Sequence, residues 1–163
     1  MNSILIFPLN LNSILSSWKT VNDAVMGGTS ESEFYLNSNN QGVFEGSVSL
    51  ANNGGFCAVK HFIEPISINN YKLFYIRLKG DGKKYQFRVK TNRNDSHSYV
   101  FAFQTNYDWQ TIEIPITELY PAFRGQKLDL PNYDGSNLEE IAFLIGNKTE
   151  EKFQLLIETI EVK

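Results

Sequence analysis

Asp95, Ser96 and His97 are the residue types of a hydrolytic triad, in which a carboxylate orients a base that activates a hydroxyl, and here they are consecutive. Neighbours on one loop point in different directions and do not converge to hydrogen-bonding range, so the sequence favours a polar turn. Cys57 is the single cysteine; as a nucleophile it needs a nearby base, for which His61 is the local candidate. Its neighbours Phe56, Ala58 and Val59 are apolar, and it reads as a small buried hydrophobe. With two histidines and one cysteine the chain cannot build a three-histidine or cysteine-pair zinc site. Asn132, Asp134 and Gly135 imitate the middle of a calcium loop, yet Leu130 and Ile141 stand where its first and its bidentate ligands belong. A structural calcium ion on Asp23 or Asp134 with backbone carbonyls stays open, but the sequence assigns no metal ligand and no cofactor. Carboxylates are plentiful, and no pair is marked as the acid and base of a glycosidase. A non-catalytic protein is the expectation.

Binding is what the remaining loops suit. Asn22-Asp23-Ala24-Val25-Met26-Gly27-Gly28-Thr29-Ser30 joins side-chain oxygens, an adaptable apolar methionine and two glycines that let another chain approach closely. Asn52-Asn53-Gly54-Gly55-Phe56 has similar composition, and the two loops are expected to build one shared site with Arg124. The same glycines can serve strand crossing, and Asn22, Asp23 and Asn53 can cap turns. Trp18 and Trp109 either stack on a sugar ring or anchor a partner, or else lie in the core. The candidate binding residues are therefore Trp18, Asn22, Asp23, Met26, Gly27, Gly28, Ser30, Asn53, Gly54, Gly55, Phe56, Trp109 and Arg124.

The elements that must hold these loops are strands. Apolar residues alternate at Phe44, Val48 and Leu50, at Phe74, Ile76 and Leu78, at Tyr85, Phe87 and Val89, and at Tyr99, Phe101 and Phe103. The pattern continues at Ile112, Ile114 and Ile116, at Ile141, Phe143 and Ile145, and at Phe153, Leu155 and Ile157, with turn residues between. Within the last segment the inward set shifts to Ile160 and Val162, which predicts a bulge near Glu158 and Thr159. Asp81-Gly82 is the strongest hairpin signal. Helices are confined to a turn or two around 13–18 and 117–120. The fold class is all-β: residues 1–163 form a single jelly-roll-like antiparallel sandwich.

At 163 residues the chain suits one domain, and 42% hydrophobic with 20% charged residues is the balance of a soluble globular protein. A net charge of −3 supplies no global field for phosphate backbones, so nucleic acid is not an expected partner. Lys79, Lys83, Lys84, Arg88 and Lys90 cluster in the expected hairpin and read as solubilising. No transmembrane segment is expected. The apolar N-terminus lacks a basic lead and is broken by Pro8, Asn10 and Asn12, which points to a cytoplasmic protein rather than a secreted one.

The Gly-Gly stretches, with Gly80-Asp81-Gly82-Lys83-Lys84-Tyr85, Trp109 to Pro115 and Arg124-Gly125, occur in an order that resembles the family of complex I intermediate-associated protein 30 (CIA30). That resemblance implies a galactose-binding-like β-sandwich and a chaperone-like role in assembling the respiratory NADH dehydrogenase, with partly built subunits as protein partners. It leaves carbohydrate binding as the alternative, since the same sandwich hosts sugar binders. The chain departs from the family pattern at Ala24, Lys60 and Lys152, and it lacks the Arg-rich transit peptide of mitochondrial members, as a bacterial relative would.

Overall fold

Segments of alternating polarity need a sheet with one dry face, and the computed structural model, which describes residues 3–7, 18–23 and 27–163, arranges them into two. In chain order the strands are β1 (Ile4–Phe7), β2 (Trp18–Asn22), β3 (Glu31–Leu36), β4 (Gly42–Val48), β5 (Cys57–Ile66), β6 (Leu73–Lys79) and β7 (Lys84–Lys90). They continue with β8 (Ser98–Gln104), β9 (Trp109–Pro115), β10 (Tyr120–Phe123), β11 (Gln126–Lys127), β12 (Leu138–Ile145) and β13 (Glu151–Val162). One sheet has the order β3-β4-β13-β6-β9 with β1 added on β13; the other runs β11-β10-β8-β7-β12-β5-β2. Their pairings are antiparallel, and the expected jelly-roll-like sandwich is the fold. Short 3-10 turns occupy Ala51–Asn53 and Ile116–Glu118, the second overlapping the expected helical turn at 117–120; of the other, expected at 13–18, residues 13–17 lie outside the described residues and Trp18 opens β2 instead.

Between the sheets an aromatic seam fills the core. Phe44 meets Phe153 at 4.8 Å, Phe74 meets Phe87 at 5.0 Å, and Phe87 meets Phe143 at 5.4 Å between ring centroids. Each such ring, removed from water, stabilises the fold by about 1.5–3 kcal/mol. The bulge lies where the change of parity predicts it. β13 shifts register against β6 between Ile157 and Thr159, which returns Ile160 and Val162 to the core.

The hairpin expected at Asp81-Gly82 is not one. β6 pairs with β13 and β9 in one sheet, β7 with β8 and β12 in the other, so the chain crosses from layer to layer at this turn. The cause is local. Gly80 lies against the Thr105 side chain with no room for a Cβ, and Gly82 (φ +82) lies against the Tyr107 ring. The Asp81 carboxylate then clamps the crossing: Oδ1 accepts from Tyr85 Oη (2.9 Å), and Oδ2 accepts from the Gln154 backbone N–H (2.9 Å) and Lys83 Nζ (3.4 Å).

Candidate functional site

The two Gly-Gly loops meet, and Asp23 is the reason. Its carboxylate, 1% exposed, takes the Ser30 backbone N–H on Oδ1 (2.9 Å) and, on Oδ2, Ser30 Oγ (2.5 Å) and the backbone N–H groups of Gly55 (2.6 Å) and Phe56 (3.3 Å). Burial alone would raise its pKa; hydrogen bonds from Ser30, Gly55 and Phe56 outweigh that and hold the carboxyl below its ordinary value. A Cβ on Gly28 or Gly54 would overlap this carboxylate, so those glycines make room for an internal anion rather than for a ligand. Gly27 (φ +88) and Gly55 (φ +142) instead adopt backbone angles that favour glycine. The polar groups of the loops are turned inward: Asn22 Oδ1 accepts from Ser32 Oγ (2.5 Å), and Ser30 Oγ accepts the Ser49 backbone N–H (2.8 Å). Met26 and the Asn53 side chain lie outside the described residues.

The other expected members stand elsewhere. Trp18 is a core residue, 5% exposed, its ring stacked between Phe34 (4.6 Å) and His61 (4.8 Å) with Phe7 edge-on at 5.7 Å; that burial removes it as a sugar platform. Trp109 opens β9, with the Arg77 guanidinium 5.7 Å above its ring. Arg124, in a left-handed turn (φ +51) between β10 and β11, covers the Phe123 ring at 5.3 Å. That turn is at the β11 edge of a sheet whose opposite edge is β2, the strand leading into Asp23, so Arg124 does not join the loops. Cys57 is buried, and burial pushes its thiol up to about 11, which leaves it without nucleophilic character at neutral pH. Among the described residues no group of three or more His, Cys, Asp or Glu is placed to hold a metal ion.

A second arrangement emerges on the outer face of the seven-stranded sheet. Pairing registers align Tyr120, Val100, Arg88, Ala142, Lys60 and Lys19 in one row across six strands. The next row holds Lys90, Glu140 and Phe62, and the row on the other side Ala102, Gln86, Leu144 and Ala58. Small side chains form the floor: Val100 is 1% and Ala142 6% exposed although both point away from the core. Glu140, also buried, has an Oε1 with no hydrogen-bond partner among the described residues. Burial raises its pKa, and the charges of Lys90, Lys60 and Arg93 offset part of that. Burial likewise pulls the Arg88 guanidinium below its ordinary value, with Tyr120 acting in the opposite direction. Toward one end Lys84, Gln86, Tyr120, Asn147 and Lys148 line a pocket of about 330 Å³.

Sequence reasoning missed this face. A signal did exist: Glu140 sits among Ala142 and Leu144 on the outward parity of β12, where a solvated strand carries polar residues throughout.

The profile of complex I intermediate-associated protein 30 (CIA30) matches residues 8–157. The chain belongs to the CIA30 family. Among solved structures, this CIA30 domain is similar to a family 11 carbohydrate-binding module from Clostridium thermocellum in complex with a β-1,3-1,4-mixed-linked tetrasaccharide, with 13% identity, TM-score 0.72, and 98% of this chain and 94% of that chain covered. The family 11 module of the cellulosomal cellulase Lic26A-Cel5E from the same organism gives 14% identity and TM-score 0.73, over 99% of this chain and 94% of that one. The agarase AgWH50C gives 12% identity and TM-score 0.62, with all of this chain covering 24% of that chain. These likenesses are of fold. No curated protein matches the CIA30 chain. Among the described residues no helix is long and apolar enough to cross a membrane.

Proposed function

We propose that this CIA30 domain is a non-catalytic, protein-binding assembly factor, and that it docks its partner on the outer face of the seven-stranded sheet. The observation that carries the reading is the pair of adjacent outward rows: a floor of small side chains, an arginine whose charge is partly desolvated, and beside them a buried carboxylate oxygen lacking a donor among the described residues. Trp18 Nε1, the other buried polar atom without a partner among the described residues, lies in the core, whereas Glu140 is on a face that a partner's donor can reach. The family description, a protein associated with an intermediate of complex I, supports subunits of a respiratory complex as the partner. A free, buried Cys57 suits a reducing cytoplasm. Site-specific photo-crosslinking in the native cell tests the docking face, with the reactive group placed at Tyr120 on the sheet or at Phe56 in the loops. Discrete protein adducts from Tyr120 are the expected result. Adducts from Phe56 alone would return the docking site to the glycine-rich loops.

A carbohydrate is the second reading, and the pocket beside Tyr120 favours it. An aromatic ring flanked by the amides of Gln86 and Asn147 suits sugar hydroxyls, and both family 11 structures named above are carbohydrate-binding modules. Titration with a mixed-linkage β-glucan tetrasaccharide separates the two readings.

A further inference from the structure

We infer that the segment this face recognises is an extended, acidic polypeptide in which carboxylates occupy alternate positions. The inference rests on the docking surface proposed above and specifies its chemistry.

Charge is the first argument. The chain carries a net −3, yet Lys19, Lys60, Lys84, Arg88 and Lys90 all project from the outer face of one sheet, and Lys127 lies over the Tyr120 ring at 5.7 Å. Glu140 is set among them, and its neighbour Glu139 is paired with Arg93 (3.7 Å). A ligand that seats here is therefore an anion.

Spacing is the second. Lys84, Gln86, Arg88 and Lys90 follow one another at every second residue of β7, a repeat of roughly 6.5 Å. Same-side carboxylates of an extended chain repeat at that distance too, so such a segment laid along β7 and β12 can set carboxylates over Lys84 and Arg88 with the neutral Gln86 between them, next to Lys90, whose Nζ also donates to the Asp95 carbonyl (2.7 Å). Among the described residues Arg88 donates only through Nε, to Gln86 Oε1 at 3.0 Å. Its outer nitrogens can then grip a carboxylate in the two-pronged manner.

The orphan acceptor decides between kinds of anion. Glu140 Oε1 needs a donor. An extended peptide offers backbone N–H groups between its carboxylates, whereas a fully ionised phosphate chain offers none. Lys60 Nζ and Arg93 Cζ lie 5.2 and 4.7 Å from the ring of Phe62, the β5 partner of Glu140, and Arg93 is held there by the Ile63 carbonyl (3.0 Å) and Glu139 (3.7 Å). A change of the Lys60 rotamer can admit a donor.

The test is fluorescence anisotropy of the whole chain with a labelled decapeptide of alternating glutamate and threonine. A second decapeptide of equal charge has its glutamates in one block, and an oligogalacturonate of similar length and the neutral β-glucan tetrasaccharide serve as comparisons. The alternating peptide should bind at least about tenfold more tightly than the block peptide, weakening as salt rises from about 0.05 to 0.3 M. A Lys19→Glu, Lys60→Glu double variant, changed only at the surface, should weaken it by about tenfold or more. Equal binding of the two peptides, tighter binding of the oligogalacturonate, or no peptide binding would each overturn the inference. If the peptides fail while the Tyr120 position still crosslinks a protein, the docking face stands and only its acidic partner falls.

Discussion

At Asp23 one carboxylate accepts hydrogen bonds from Ser30, Gly55 and Phe56 and so ties the β2–β3 loop to the loop entering β5. Bonds to a charged acceptor contribute about 1.5–3 kcal/mol each before desolvation is counted. Asp23→Ala, which also strands the donors, should therefore cost about 3 kcal/mol. In a domain of this size that lowers Tm by roughly 10 °C in calorimetry. Gly28→Ala attacks the same contact from the other side, so the double variant should lose less than the sum of the two singles. The pH sign is fixed by the direction of the shift. A folded pKa below the unfolded value gives stability that is present above about pH 4 and is lost as pH falls through the folded pKa. Asp23→Asn should flatten that acid limb in urea titrations. Glu140 has the opposite sign: its raised pKa means that the ionised form is disfavoured by folding. The stability it contributes is fully present below about pH 4 and is lost as pH rises through its folded value. Glu140→Gln should thus be more stable than the parent at pH 7, by about 1 kcal/mol, with the gap closing in acid. If it also loses its partner, Glu140 is retained for binding at the expense of stability.

The crossing from β6 to β7 shows how an element takes its place in the fold from one side chain. Asp81 joins Tyr85, at the start of β7, to the backbone of β13 in the facing sheet. Asp81→Ala leaves the buried Tyr85 hydroxyl and the Gln154 N–H without this acceptor, and should cost about 2–3 kcal/mol in urea unfolding. Tyr85→Phe removes only one side of that contact and should cost less. The same crossing shows what a sequence conveys. Alternation reports which side chains share a face, so the inward sets of β6, β7, β8, β9, β12 and β13, Phe44 and Val48 of β4, and the bulge after Ile157 were legible, whereas Leu50, expected in the β4 stripe, follows the strand and is 41% exposed. It does not report which strands are neighbours, and a Gly-flanked Asp reads alike in a hairpin and in a bridge between layers. Lys79 and Arg88 thus looked like members of one hairpin but stand on opposite sheets. The glycine pairs were legible as places of close approach. That the approaching group is Asp23 was not, because composition shows an oxygen without showing which donors turn toward it.

Across the whole molecule the two outward faces differ in sign. The six-stranded sheet presents Glu31, Glu33, Glu45, Glu113, Glu158 and Glu161 against Lys79, Lys152 and Arg77, with Arg77 paired to Glu158 (3.8 Å) and Lys163 to Glu161 (3.9 Å), while the seven-stranded sheet presents Lys19, Lys60, Lys84, Lys90 and Arg88 around Glu140. Packed sheets lie about 10 Å apart, with outward side chains adding to that separation. The Debye length at 0.1 M salt is also about 10 Å. Charges within one face therefore act together at that ionic strength, while the opposite face is largely screened. A matrix touching the basic face meets a cation, although the whole chain has a pI near 5.4. The protein should accordingly be retained on a sulfonate exchanger at pH 7 in about 0.05–0.1 M salt, where its net charge alone directs it to the flow-through. Replacing Lys19, Lys60 and Lys84 with glutamate should abolish that retention, whereas Arg124→Glu, in the turn at the β11 edge, should leave most of it. Near 0.01 M salt the screening length reaches about 30 Å, so the acidic face is felt as well and retention should weaken. Unchanged retention after the triple substitution would mean that the asymmetry between the sheets does not govern what this surface meets.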